Sequence, residues 1–424
     1  MLVRVRQRLR TLDLFAVRGV DLRTRKGMWA LWMDNLFASI SGAFLLTYVS
    51  LFAIALGATN TQIGALSSVP NLLGMLAPLP GAQLAEHWGS RRRVVVVVWA
   101  LARALSAGLV VLPWFLAGDA AIYAVIALWS LRSGLANLAH PAWVSLAGEV
   151  IPDDRRGRFF SSRNIAAALC SMVFVPLAGV LIEWIGEPAG YQWAFGLSAV
   201  FGFAALYYYA QIPETIPPRQ PRARATRTLA LFWRALTANR VFLFFTLISM
   251  GWNFSLQLAG PFFNVFQVKQ LGTSVSTMGW LGMALDLMTV VGQWFWGRVV
   301  DRRGSRWALA VCSLFIPILP FIWFFLSKPW HAVLVRIPSG FLWSGFNLAS
   351  FNLQLELSTP QERTQAAAAY TTLIGLANIL GPLVGGVIVD RWGYYLDFSL
   401  SGVGRLLMAV MFLWLLKPFA SRPK

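Results

Sequence analysis

Residues 56–93, LGATNTQIGALSSVPNLLGMLAPLPGAQLAEHWGSRRR, and residues 271–307, LGTSVSTMGWLGMALDLMTVVGQWFWGRVVDRRGSRW, are two copies of one pattern. A shift of 215 positions superposes Gly57 on Gly272, Gly64 on Gly279, Glu86 on Asp301, Gly89 on Gly304 and Arg91 on Arg306, without a gap. Further along, a shift of 207 superposes Glu149 on Glu356, Arg156 on Arg363, Gly179 on Gly386, Glu183 on Asp390 and Gly186 on Gly393. Apolar helices match one another in Leu and Ala by chance. Chance does not readily align Gly and charge at both ends of several helices, so the chain is a duplicated unit.

Long apolar stretches separate these markers. A helix crosses the hydrocarbon core with about 20 mostly apolar residues. Breaks at Gly, Pro and charge clusters give spans at 28–55, 61–85, 94–117, 120–149, 159–186 and 191–212. The second set is 241–269, 276–300, 307–327, 330–357, 364–390 and 397–417. The runs are long and lack the alternation of a membrane barrel. The expected fold is therefore all-α integral membrane, with 12 transmembrane helices in two six-helix bundles. An amino-terminal tail (1–27) precedes the first bundle (28–212). A linker (213–240), Pro-rich and then basic, leads to the second bundle (241–417) and a short tail (418–424); Leu229–Leu236 reads as an amphipathic stretch on the inner membrane surface. Composition agrees: 57% of residues are hydrophobic and 12% charged, where a soluble protein carries about 25% charged.

The net charge of +19 invites a nucleic-acid reading, but the basic residues come in short bursts between apolar stretches. No zinc-finger, RNA-recognition or basic-zipper pattern accompanies them, which excludes nucleic acid as a partner. With the amino terminus inside, 29 of the 36 Lys and Arg are assigned to the inner side. Lys269, Lys328 and Arg391 fall at outer ends, and Arg103, Arg132, Arg336 and Arg405 within spans. This bias places both termini in the cytoplasm of a multi-pass protein of the cytoplasmic (inner) membrane. The Arg-rich tail (Arg4, Arg6, Arg8, Arg10, Arg18, Arg23, Arg25) mimics a transit peptide, but Asp13, Asp21 and the full-length first span favour an ordinary cytoplasmic tail. Cys170 and Cys312 lie in separate apolar stretches, and His87, His140 and His331 are far apart, so neither a disulfide framework nor a metal site is expected.

The second repeat carries Gly297-Arg-Val-Val-Asp301-Arg302-Arg303-Gly304-Ser305-Arg306. This resembles the loop signature of the major facilitator superfamily, Gly-x-x-x-Asp-Arg-x-Gly-Arg-Arg/Lys, departing at Ser305. The first-half copy is Ala82, Glu86, His87, Gly89, Ser90 and Arg91, where His87 replaces the usual Arg. Glu149-x-x-Pro152-x-x-Arg155-Arg156-Gly157-Arg158 is echoed by Glu356-x-x-x-Pro360-x-x-Arg363, and Gly381-Pro382-x-x-Gly385-Gly386 is similar to the family's Gly-Pro-rich motif of helix 5, here in helix 11. The resemblance covers essentially the whole chain. It implies a secondary transporter with gating residues at Glu86, Arg91, Gly297, Asp301, Arg302, Gly304 and Arg306. Chemically, the glycines allow close helix approach. A carboxylate suits the positive end of a neighbouring helix, and the arginines suit carboxylates or membrane-lipid phosphates. The plainer reading of any one Arg is topology-setting charge.

Polar residues in lipid should face the protein interior. The seventh span carries Ser249, Asn253, Gln257, Gly260 and Asn264 near a 3.6-residue period, hence on one face. The tenth carries Arg336, Ser339, Trp343, Asn347, Ser350 and Gln354; the fourth Ser133, Asn137 and His140; the first Asp34, Ser41 and Tyr48. The resemblance implies that these four helices line the central cavity. The expected binders of a small-molecule substrate are Asp34, Asn137, His140, Asn253, Gln257, Trp343 and Asn347, the amides and indole suiting an uncharged or weakly charged solute. Hydrogen bonding between helices is the alternative for each.

Asp286, near the middle of the eighth span, and Asp34 are candidate proton-coupling sites, because burial favours the protonated carboxyl. Pairing with Arg103, Arg132, Arg336 or Arg405 is the alternative. Arg336-x-x-x-Gly340 is similar to the family's antiporter pattern but lies in helix 10, and Arg132 is about one turn out of its register. No phosphate-binding loop is present, so ATP does not drive the protein directly, and Gly402-Val-Gly404 reads as close helix packing. No enzyme signature and no cofactor are expected. The function implied is secondary active transport by alternating access, as proton-coupled export of an amphipathic compound. A sugar or metabolite facilitator or symporter is the alternative, and a non-transporting membrane sensor or assembly partner the alternative of another class.

Overall fold

A computed structural model describes residues 21–214, 237, 239–358 and 363–416. Almost all of the expected linker, including Leu229–Leu236, lies outside the described residues, as do most of the amino-terminal tail, Pro360, the side chain of Arg363 and the tail 418–424.

Among the described residues, twelve helical segments follow one another. The first six are α1 (Leu22–Ala55, interrupted at 46–48), α2 (Asn60–Leu76 and Pro78–His87, bent by 43°), α3 (Arg91–Phe115), α4 (Gly118–Val150), α5 (Arg156–Ile185) and α6 (Ala189–Tyr209). The second six are α7 (Arg240–Lys269, interrupted at 260–261), α8 (Val275–Arg303), α9 (Ser305–Phe325, ending in 3-10 turns), α10 (Val333–Leu357), α11 (Arg363–Trp392) and α12 (Tyr394–Leu416). Among the described residues there is no strand. Among the described residues nine segments are long and apolar enough to cross a membrane, ten with bent α2 counted as one span. The other two, α6 and α10, are 21 and 25 residues long, enough to span. Their Tyr and Trp residues, and the Arg, Asn and Gln residues of α10, lower their mean hydropathy. The segments are consistent with the twelve spans expected. One boundary differs: α1 starts at Leu22, capped by the Asp21 carboxylate, six residues before 28. Asp34 is thus about 18 Å along its helix.

Polar caps at the same repeat positions start corresponding helices. Thr59 and Gln62 form a capping box at α2, and Ser274, its counterpart 215 residues on, accepts from Thr277 N at α8. Such caps satisfy amides that lipid cannot. Large apolar side chains cover the outside, with Trp184 83% and Trp414 73% exposed near helix ends, where indoles sit at headgroup level.

The halves pack through two pairs, α2 with α11 and α5 with α8. Glycine sets the approach. A Cβ at Gly64 would strike the Pro382 carbonyl, at Gly386 the Asn60 carbonyl, at Gly179 the Val275 carbonyl, and at Gly279 Pro176.

The apolar core shows where this packing is tight. At the end away from the termini one continuous cluster crosses both halves, joining Tyr48, Phe52 and Tyr191 to Phe262, Phe266, Met278 and Phe398. At the terminus-bearing end the core divides. Met28, Val94, Leu146, Phe159 and Tyr209 form one cluster in the first half, and Phe242, Trp252, Leu309, Leu353 and Phe412 another in the second. Polar ties reinforce the far end. Asp390, ending α11, accepts from the Asn60 and Thr61 amides at the start of α2 (3.2 and 2.8 Å). Glu183, ending α5, accepts from the Ser276 amide at the start of α8 (3.1 Å). These are repeat counterparts, since 183 + 207 = 390 and 61 + 215 = 276. Lys269 Nζ to the Ala58 carbonyl (2.8 Å) and Tyr394 to Asn60 (2.9 Å) complete the closure.

Candidate functional site

A cavity of about 410 Å³ is walled by α1, α3, α4 and α5. α1 supplies Asp34, Asn35 and Ser41; α3 supplies Trp99 and Arg103; α4 supplies Arg132, Asn137, His140 and Trp143; α5 supplies Arg163. Three expected binders, Asp34, Asn137 and His140, therefore share one cavity. Asp34 is 2% exposed and lies within electrostatic reach of Arg103 and Arg163. Asn137 donates to the Ser133 carbonyl of its own helix (3.0 Å), and the exposed His140 ring stacks on Trp143 at 5.8 Å.

A second cavity of about 380 Å³ shares Ala38, Gly42 and Leu46 with the first and is closed by Ala167, Ser171 and Val175 of α5. Its wall leads to the other half: Ser171 Oγ donates to Asp286 Oδ2 across the α5–α8 interface at 2.8 Å. The counterpart interface holds a second polar pair, Asn71 Nδ2 donating to the Asn378 carbonyl at 3.3 Å. The repeat shifts relate the two pairs, since 71 + 215 = 286 and 171 + 207 = 378.

The four expected binders of the second half are not brought into the first cavity. Asn253 donates to the Ser249 carbonyl of its own helix (2.8 Å). Gln257 donates to Asn378 Oδ1 (3.3 Å), extending the Asn71–Asn378 pair onto α7. Trp343 packs edge-on against Trp252 and Phe346, with centroids at 6.3 and 5.4 Å. Asn347 is exposed on α10.

The expected gating residues lie at the terminus-bearing end. Gly89 (φ 63) and Gly304 (φ 84) are left-handed and turn the chain between helices, a geometry that glycine adopts freely. Arg91 forms an ion pair with Glu149 at 2.9 Å, and its amide donates to Glu214 (2.6 Å). In the second half, Ser305 donates to Glu356 (2.9 Å) and Arg306 to the Leu416 carbonyl (3.5 Å). The Arg91–Glu149, Ser305–Glu356 and Arg306–Leu416 contacts each stay within one half, and the Glu214 contact ties the first half to the start of the linker. Glu86 is half-buried at the end of α2; Asp301 and Arg302 are exposed, and Gly297 has open space where a Cβ would go.

The sequence reading passed over Arg163, Trp99, Trp143, Asn71, Ser171 and Asn378. Arg163 sits four residues inside the expected fifth span (163 against 159) and was counted with the loop charges. For the other polar residues the signal was present: the shifts that expose the repeat superpose Asn71 on Asp286 and Ser171 on Asn378.

The family model of the Major Facilitator Superfamily matches residues 31–268 and 253–424. The chain belongs to the major facilitator superfamily. It is a multi-pass membrane transporter of that superfamily, as the resemblance implied. It is 22% identical over 411 residues to a multi-drug resistance efflux pump PmrA homolog of Lactococcus lactis subsp. lactis (strain IL1403), covering 93% of this chain and 95% of that protein. A shorter match, 30% identical over 156 residues, covers 35% of this chain and 37% of the multidrug resistance protein MdtG of Dickeya zeae (strain Ech586). Among solved structures, a bacterial homolog of the human lysosomal transporter Spinster, inward-facing and unoccupied, superposes with a TM-score of 0.73 at 16% identity, covering 96% of this chain and 100% of that one. The nucleoside transporter NupG superposes at 0.70 with 18% identity, over 93% and 99%. These structures share the superfamily's fold.

Proposed function

We propose that this superfamily member exports a small amphipathic solute across the cytoplasmic membrane in exchange for protons, by alternating access. The carrying observation is the single core at one end and the divided core at the other, with a polar cavity between them. With both termini in the cytoplasm, this geometry is an inward-facing state, ready to take solute from inside. Rocking the halves about the α2–α11 and α5–α8 interfaces would break the far-end ties and close the inner end. Asp286 is the better placed coupling residue, because protonation changes an atom that already bonds the opposite half. The relative described as a multi-drug resistance efflux pump favours export.

The test is efflux of a lipophilic dye from liposomes containing the purified protein under an imposed pH gradient. Gradient-driven efflux is expected. Gradient-independent equilibration of a sugar or nucleoside, with no dye transport, would replace the exporter by a facilitator.

A further inference from the structure

The first-half cavity contains more positive charge than its packing needs. Arg103, Arg132 and Arg163 line it with one carboxylate, Asp34, giving a net +2 (three positive, one negative) with His140 neutral. Including Asp286, held by Ser171 on the adjoining wall, still leaves +1. Among the described residues none of the three arginines forms an ion pair. Arg163 is 8% exposed. The Nε atoms of Arg103 and Arg163, Oδ1 of Asp34 and the indole nitrogen of Trp143 are buried without a hydrogen-bond partner. Arg103 and Arg132 also lie near enough to repel each other.

Uncompensated charge in a low-dielectric interior is costly, and ionisable groups inside a membrane mark a site by default. The ring stacking in and beside this cavity leaves the arginines able to bind. Arg163 lies over Trp143 and Phe160 (5.1 and 5.6 Å), and Arg132 over Trp129 (4.7 Å). Stacking occupies a guanidinium face, whereas its N–H donors point from the edge in the plane, the geometry that receives a carboxylate or phosphate. Trp99 and Trp143 supply flat apolar surface in the same wall.

We infer that the transported solute is an organic anion, its carboxylate, sulfonate or phosphate held by Arg103, Arg132 and Arg163 and its apolar body lying against Trp99 and Trp143. This rests on the transport reading above and deepens it, replacing the uncharged or weakly charged solute that the second-half amides suggest. Asp34 then acts as the internal counter-charge of the empty site.

The test uses an isosteric series that differs only in charge: naphthoate, naphthamide and naphthylmethylammonium. Binding is measured by thermal shift and calorimetry on full-length protein in phosphatidylcholine nanodiscs, and transport in liposomes of the same lipid. Naphthoate alone binds and is transported. Arg132→Gln and Arg163→Gln each weaken naphthoate binding at least about tenfold, and Arg163→Lys, which keeps the charge, recovers part of the loss. Preference for the amide or the ammonium, or naphthoate binding unchanged in both Gln variants, overturns the inference and leaves transport standing. Loss of naphthoate binding when phosphatidylglycerol is added makes this a lipid-headgroup site and overturns the solute assignment. Absence of both binding and flux for the whole series and for a lipophilic dye contradicts the transport reading as well.

Discussion

Ser171 donates to Asp286 at 2.8 Å across the α5–α8 interface, at the position where the other copy of the repeat pairs Asn378 with Asn71. The duplication thus sets an ionisable side chain opposite a hydroxyl on one interface and two amide residues on the other. A carboxyl can change its charge during a cycle; an amide cannot. Asp286→Asn makes the second interface resemble the first. It should leave folding intact and retain solute exchange while abolishing proton-driven accumulation. Counterflow of labelled solute, compared with pH-gradient-driven flux in the same vesicles, checks this. Equal loss of both would return Asp286 to a structural role.

The far-end caps should bias the conformational equilibrium. Each carboxylate at a helix N-terminus contributes about 0.3–1 kcal/mol. Glu183→Gln with Asp390→Asn should therefore shift the inward-to-outward ratio several-fold towards outward. Spin labels at Glu187 and Tyr395, both exposed at that end, report it as a growing long-distance population. An unchanged distance distribution would mean that the apolar packing and the remaining ties, Lys269–Ala58 and Tyr394–Asn60, hold this end closed without the two carboxylates.

Glycine contacts should be conformation-specific. A Cβ at Gly64 would collide with the Pro382 backbone, which cannot move as a flexible side chain can. Gly64→Val should disfavour the state described here, widen the far-end distances and reduce turnover. Wild-type turnover in a stably folded variant would contradict the tight α2–α11 approach.

Asp301 is exposed at the open end, whereas the Arg91–Glu149 pair ties one half together, with side chains 14% and 10% exposed. Asp301→Asn should leave thermal stability unchanged and slow transport if Asp301 is a gating residue that pairs only when that end closes. Arg91→Ala should lower stability, by about 1.5–3 kcal/mol for a hydrogen bond to a charged group. Melting temperature against transport rate separates the two roles.

If Asp34 is the internal counter-charge of an anion site, Asp34→Asn should tighten naphthoate binding, opposite in sign to the arginine variants. Calorimetry reads the difference directly, and weaker binding would instead make Asp34 part of the ligand cradle.

Much of the fold was legible because lipid imposes it: apolar runs, their breaks and the repeated Gly and charge markers locate helices without tertiary knowledge. The helical period and the family resemblance together singled out Asp34, Asn137 and His140, and one cavity is lined by all three. Arg163 was missed because one sequence does not fix where a helix enters the hydrocarbon, so a buried guanidinium near a span end looks like loop charge. Asn253, Gln257 and Trp343 follow the same period yet are engaged by Ser249, Asn378 and Trp252, since periodicity gives a face and not what the face meets. The closed end was not legible at all. It depends on which glycines of one half meet the other, a long-range relation that local pattern does not contain.

The most direct test of the central claim is proton movement on adding an amphipathic solute to liposomes loaded with a pH-sensitive dye, for wild type and Asp286→Asn side by side. The account predicts a solute-dependent pH change with wild type and none with the variant, while both exchange labelled solute. Solute exchange by wild type with no accompanying pH change would contradict proton-coupled export.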